Sequence, residues 1–483
     1  MRAVLVVTLT LAALSVAGPA SAQTPYTYRD ESYKLCWSSR PEIAIANCSA
    51  VIGSNAQMPR EMKAAVFYRR GLAYDRKGLY DQAIQDYDRA LEAKPDLVEA
   101  LGDRGLAYAH KGLYDRAIAD YGSALQIDPA YFYALHNRCL AYDRLGQLDR
   151  ALRDCNRAIA LRWSAPEGFA ARGTVYQDQG AYDRAIADYD EALVLKPSAP
   201  DVLTLRGLAY LRKGAYDRAI TDFDRALALQ PSSADALNDR GDAYAHEGRY
   251  DRAIADFDRA LTLRPHFAEA LANRALAHDR QGEYERALAD YGLALQLQPH
   301  AATIRYDRGN TYAREGLDER ALEDYDAAIA LKPDFADALN NRGAVYSRMR
   351  MYDRALRDLD RVLALQPDHA DGLRNRCQVR VLLHRAAEAL EDCDRALALR
   401  PRHEPTLSLH GFANLAANRP AAAIADFDAA LALSPNDAAT LYGRGLAKRA
   451  NGDAAGAETD LRNAAALRAN VASELARYGF AGE

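Results

Sequence analysis

The chain has 483 residues, 49% hydrophobic and 27% charged, enough apolar material for a packed core and too much for compositional disorder. Its 62 Lys+Arg stand against 67 Asp+Glu, a net charge of −5, so it lacks the cationic excess of a nucleic-acid binder. The same figures exclude collagen-like, coiled-coil and polytopic membrane classes.

The first element in the chain reads as a secretory signal. Arg2 supplies a positive start, Ala3 to Ala17 is an uncharged apolar run, and Ala20-Ser21-Ala22 is a small-residue cleavage site. The run is short of the ~20 residues that span a bilayer, and Gly18-Pro19 breaks it. Residues 1–22 are therefore read as a cleaved signal and Gln23 as the mature N-terminus. No later stretch is long and apolar enough to span, so the mature chain is expected without an integral membrane span, in the periplasm or secreted. Residues 23–63 follow as a capping segment. There Ala44-Ile45-Ala46-Asn47-Cys48 parallels Ala83-Ile84-Gln85-Asp86-Tyr87, the mark of a degenerate hairpin.

From Ala64 a strict period takes over. Prolines at 95, 129, 197, 231, 265, 299, 333, 367, 401 and 435 lie on one 34-residue grid, with Trp163 filling the gap. Glycines repeat on the same grid at 78, 112, 146, 180, 214, 248, 282 and 316. Twelve units span 64–471. Within a unit, Phe67, Gly71 and Tyr74 share one helical face, Lys77-Gly78 ends that helix, and Asp81 to Ala93 forms a second. Its stripe is Ala83, Ile84, Tyr87, Ala90 and Leu91, and Pro95 stops it. One such hairpin cannot bury its apolar face alone, so stacked copies are expected to form an all-α solenoid in place of the roughly three globular domains that length suggests. Residues 472–483 are expected to close the last apolar face as a helix around Leu475 and Tyr478, or to form a loose tail.

Leu101, Gly105, Tyr108, Gly112, Tyr114, Ala117, Tyr121, Ala124 and Pro129, with their 34-residue copies, resemble the tetratricopeptide repeat family. The resemblance implies a right-handed superhelix whose first helices line a concave groove, and a protein–protein interaction module. Late units depart from the pattern: Arg380, Asn414 and Lys448 replace the tyrosine, and His384 and Asn418 replace the turn glycine. The last three units are therefore expected to pack differently.

Two further series are unusual within that resemblance. Arg recurs at 70, 104, 138, 172, 206, 240, 274, 308, 342, 376 and 444, broken only by His410, and Asp recurs at every equivalent place from 86 to 460. Family members typically carry apolar or aromatic residues at both places. The pairs, among them Arg104, Asp120, Arg206, Asp222, Arg240 and Asp256, read as a structural ion-pair ladder rather than a ligand-binding stripe. Sequence leaves open whether each pair lies within a hairpin or between neighbours. Six cysteines form three candidate disulfides. Cys139 and Cys155, and again Cys377 and Cys393, replace the close-packing glycine and the aromatic that faces it, while Cys36 and Cys48 lie in the capping segment. Such staples suit an oxidising compartment.

No zinc-ligand, P-loop or nucleophile-elbow pattern appears, and the repeats leave no room for a catalytic domain. No enzyme activity, cofactor or metal is expected. Candidate groove residues are Tyr68, Arg76, His110, Tyr133, Arg144, Arg212, His246, Arg280, Tyr306, Asn310, Arg314 and Arg348. The carboxylate-binding Lys and Asn pattern of some relatives is not supported. The expected function is a scaffold for protein or peptide partners, with a subunit of an envelope assembly (secretion, polysaccharide export or cell wall) as the alternative. An enzyme acting on envelope polymers is the weakest reading.

Overall fold

The computed structural model describes residues 31–54, 58–476 and 480, so the signal-peptide reading and Tyr478 lie outside the described residues. The described residues form 27 helices and no strand. They divide into two compact units, one ending at Leu263 and one beginning at Arg264. The first holds an N-terminal hairpin and six repeats, and the second holds six repeats and a closing helix. Each unit is an α-solenoid in which every repeat is a helical hairpin stacked on the next.

The hairpin Val98–His110 and Tyr114–Ile127 illustrates the rest. Gly112 adopts φ 73°, and its N–H reaches Ala109 O at 2.9 Å while Leu113 N–H reaches Tyr108 O at 2.9 Å. These two bonds satisfy the open carbonyls at the helix end, and the left-handed residue between them is why glycine recurs there. The three turns that lack glycine keep the same geometry. Arg350, His384 and Asn418 take φ 61°, 60° and 55° with the same pair of carbonyl bonds. The turns of the divergent units therefore keep the common geometry. The left-handed backbone at a non-glycine residue costs each of them about 1–2 kcal/mol.

Packing between the two helices depends on a missing side chain. A Cβ at Gly105 would stand 2.7 Å from Tyr121 Cε1, inside the van der Waals limit, and Tyr121 is buried. Gly105→Ala is expected to lose stability, because overpacking costs about 1–3 kcal/mol and a glycine-to-alanine change in a helix returns only about 1 kcal/mol. Gly292, where a Cβ meets nothing within 4 Å, should instead gain stability as alanine. Thermal denaturation of the two variants checks the contrast.

The ladder is both intra- and inter-repeat. Arg206 grips Asp222 of its own hairpin through Nε at 2.7 Å and Nη2 at 2.6 Å, and its Nη1 reaches Asp190 of the preceding hairpin at 2.5 Å. Arg104 does the same with Asp120 and Asp88, Arg240 with Asp256 and Asp224, and Arg444 with Asp460 and Asp428. The second aspartate follows the ladder aspartate by two residues, a place the sequence reading passed over. Arg70, on the first repeat, bonds Asp86 and uses Nη1 on Ser49 Oγ at 2.9 Å, so the hairpin Glu31–Cys36 and Pro41–Ser54 docks as a degenerate repeat. In several repeats the tyrosine one turn beyond the arginine flanks its guanidinium, as Tyr142 does Arg138 at 5.8 Å. In the last three repeats, where that tyrosine is replaced, the substitute joins the ladder: Arg380 reaches Asp392 at 2.7 Å, Asn414 reaches Asp426 at 2.8 Å and Lys448 reaches Asp460 at 2.8 Å, whereas His278 at the same place meets Glu283.

His410 occupies the one break in the arginine series and still bridges two hairpins, with Nδ1 3.0 Å from Asp426 and Nε2 3.2 Å from Asp394. Burial acts to lower its pKa, but the two carboxylates outweigh burial and hold it above the ordinary 6.5. The folded pKa thus exceeds the unfolded one. This joint contributes fully below about pH 6.5 and weakens as pH rises through the folded value. His410→Arg should abolish that component, read as urea midpoints that no longer fall between about pH 6 and 8.

Three disulfides join the predicted partners: Cys36–Cys48, Cys139–Cys155 and Cys377–Cys393, with Cα separations of 4.7, 5.5 and 5.7 Å. At the C-terminal end, the helix Val471–Ala476 buries Val471, and Leu475 packs against the cluster that includes Leu441 and Tyr442. Phe480, which the sequence reading did not single out, lies 4.9 Å from Phe412 between ring centroids.

Candidate functional site

The helix Ala302–Glu315 carries Tyr306, Asp307, Asn310, Ala313 and Arg314 at i, i+1, i+4, i+7 and i+8. That spacing puts them on one face. Leu276 and Arg280 come from the preceding first helix, Ala268–Arg280, and Asn341, Val345 and Arg348 from the following one, Ala336–Arg348. Together these residues line an open cavity of about 640 Å³ in the second unit. Five of the twelve predicted groove residues meet there: Arg280, Tyr306, Asn310, Arg314 and Arg348.

The polar groups of the cavity are ordered by one another. Tyr325 Oη and Asn341 Nδ2 both donate to Asn310 Oδ1 at 2.8 Å, and Asn341 Nδ2 also reaches Tyr306 Oη at 3.1 Å. The Asn310 carbonyl is thereby consumed, and its amide lies beside the Tyr306 hydroxyl. Arg314 is tied to the buried Asp279, and Arg348 to Asp318 and the Ala313 carbonyl. Arg280 has no ion-pair or hydrogen-bond partner among the described residues. The Asp307 carboxyl is pushed up to about 6 by burial and by repulsion from Asp279, against the pull of Arg314 and Arg280. An unpaired Arg280, a polar Asn310–Asn341–Tyr306 cluster and an exposed Leu276 suit a peptide segment. Among the described residues no group of three or more His, Cys, Asp or Glu could hold a metal ion.

The other predicted groove residues do not join this cavity. Tyr68 donates to Asp103 Oδ2 at 2.8 Å. Arg76 reaches the Ser39 carbonyl at 3.4 Å, and His110 stacks on Tyr80 at 4.9 Å. Tyr133 packs edge-on to Phe132 beneath the Arg162 guanidinium. His246 stacks on Tyr216 at 5.0 Å with Nε2 3.6 Å from Asp242, whose carboxyl also feels Arg212. Arg144 and Arg212 are exposed. Asp103, Asp279 and Asp307 lie outside the set of groove residues expected from sequence. Asp103 and Asp307 share a repeat place with Asp239, a recurrence that would have marked them.

Comparison with known proteins adds the family signal. Models described as tetratricopeptide repeat match residues 68–132, 204–268, 268–301 and 336–369, and one described as TPR repeat matches 173–214 and 314–349. No curated protein sequence matches. Among solved structures, a tetratricopeptide repeat protein from Parabacteroides merdae is 23% identical, covering 52% of this chain and 98% of its own, with a TM-score of 0.43. The APC/C hetero-tetramer Cut9-Hcn1 is 16% identical over 90% of this chain and 99% of its own, with a TM-score of 0.49. YrrB, a TPR protein with an unusual peptide-binding site, is 26% identical over 39% of this chain and 97% of its own, with a TM-score of 0.32.

Proposed function

Because the chain belongs to the tetratricopeptide repeat family, we propose that it is a non-enzymatic scaffold that binds protein or peptide partners on the face made by its first helices. The observation that carries this reading is the convergence of Arg280, Tyr306, Asn310, Arg314 and Arg348 on one cavity. Affinity comes from modest contacts, with Arg280 supplying an unpaired charge beside the polar Asn310 cluster. The compartment is the periplasm or the extracellular space. In support, three disulfides stand among the described residues with no free cysteine, and no helix there is long and apolar enough to cross a membrane.

A photo-crosslinking residue at Ala313, introduced into the exported protein in its native envelope, should capture defined proteins. Arg280→Ala combined with Asn310→Ala should reduce that capture at least about tenfold, the expected loss for two charged or polar contacts. Recovery of glycan alone, or its turnover, would overturn the reading. Capture of a set of envelope-complex components would favour the assembly-subunit alternative. Mass mapping without reductant should return the 36–48, 139–155 and 377–393 links; free thiols would remove the argument for an oxidising compartment.

A further inference from the structure

Asp103 is a carboxylate that the ladder does not use, standing next to the ladder residue Arg104 on the helix Val98–His110. Among the described residues its one hydrogen bond comes from Tyr68 Oη at 2.8 Å. Tyr87 and Tyr121, each 0% exposed, carry phenol oxygens with no hydrogen-bond partner. Burial raises both phenols, and Asp103 is the charged neighbour that adds most to each. Asp75 presents a further buried oxygen, Oδ1, without a partner. The ring of Tyr131 closes over Gly102, where a Cβ would stand 3.0 Å from Cε1. Asp75 and Glu99 repel the Asp103 charge, and Arg76 partly offsets them. His110 acts on Asp75 in the same sense as Arg76. Burial, with these neighbours, pushes the Asp103 carboxyl up to about 7.

Buried polar atoms left unpaired are costly and uncommon in native proteins. Here one oxygen of Asp75 and the phenols of Tyr87 and Tyr121 are left unpaired, and Asp103 beside them holds a single hydrogen bond, among surrounding tyrosine rings. We propose that this cage in the first unit receives a primary ammonium group, the lysine side chain of a partner bound on the first-helix face. Three N–H donors match Asp103, Asp75 and a phenol oxygen, and the tyrosine rings add cation–π attraction. A divalent metal fits less well, since the phenols are held in their neutral form by burial. The inference rests on the scaffold reading and names one residue type that its partner presents.

The test uses the intact, oxidised protein and two probes, Nα-acetyl-lysine methylamide and its Nζ-acetylated neutral form, titrated by NMR at pH 8. The charged probe should give saturable shifts at Tyr68 and Tyr131, and the neutral probe none. Asp103→Asn, nearly isosteric, should weaken binding at least about tenfold, the usual consequence of removing one charged hydrogen-bond acceptor. Tyr87→Phe should weaken it a few-fold while leaving the carboxylate in place. Wild-type binding should also fall as pH drops below about 7, because the protonated carboxyl no longer attracts the cation. Equal response to both probes, or unchanged binding in Asp103→Asn, overturns the proposal. So does absence of binding together with a higher melting temperature for Asp103→Asn, which marks a water-filled polar cluster. Capture at Ala313 in the second unit is a separate readout, so loss of the lysine site alone leaves the scaffold reading standing.

Discussion

Asp222→Ala is expected to destabilise its repeat by about 3–5 kcal/mol, the cost of breaking a buried ion pair by removing one partner. Asp222 is 2% exposed and takes two hydrogen bonds from Arg206. Without it, the guanidinium keeps only the exposed Asp190 and stays partly desolvated. Replacing Arg206 by Leu and Asp222 by Phe together should cost far less, because the net worth of a buried pair over a well-packed apolar one is near zero or negative. Repeat arrays unfold locally, so a single unfolding free energy is not the right readout. Hydrogen exchange in the helices Pro200–Arg212 and Tyr216–Leu229 reports the affected repeat directly. Equal and small changes in both variants would refute the structural role of the ladder. A loss confined to one hairpin would show that the inter-repeat contact carries little of the coupling.

Converting Cys139 and Cys155 together to serine should cost about 3 kcal/mol, the chain-entropy expectation for a closed loop of about 15 residues. The two cysteines are 16 apart. The same two places in the preceding repeat hold Gly105 and Tyr121, which pack ring edge on backbone. Cys139→Gly with Cys155→Tyr should therefore recover much of the loss by restoring that packing. It should also make the repeat insensitive to reductant. Hydrogen exchange in the helices Phe132–Arg144 and Leu148–Leu161 with and without dithiothreitol separates the effects: protection of this repeat should fall on reduction in wild type and not in the Gly/Tyr variant, which keeps the other two disulfides. A wild type that ignores reductant would make the bond dispensable in the oxidised protein.

Much of this molecule was legible before any coordinates. The period, the hairpin, the turn glycines and the cysteine partners follow from interactions that are local or repeat at a fixed offset. Gly71 must be small because Tyr87 lies against it, and most copies state the same constraint again with glycine. The exceptions were less legible. His384 and Asn418 looked like breaks in the pattern, yet their turns keep the left-handed geometry because the carbonyl bonds on either side enforce it. Arg380, Asn414 and Lys448 looked like lost tyrosines, and they turn out to supply the ladder aspartates with a second partner.

By itself the sequence determined the all-α repeat architecture and the pairing of Arg with Asp as residue types, because periodic contacts leave periodic marks. Only the tertiary structure decided the register, since one guanidinium has enough donors to hold its own hairpin and the one before it, and no periodicity separates those two bonds. It alone gathered Arg280, Asn310 and Arg348 into one cavity, and Tyr68, Tyr87 and Tyr131 around Asp103. Those sites mix recurring residues such as Arg280, Arg348 and Tyr87 with others such as Asn310 that stand alone at their repeat place, and what brings them together is the side-by-side stacking of successive hairpins, which converts a separation of about 34 residues along the chain into neighbouring turns of adjacent helices.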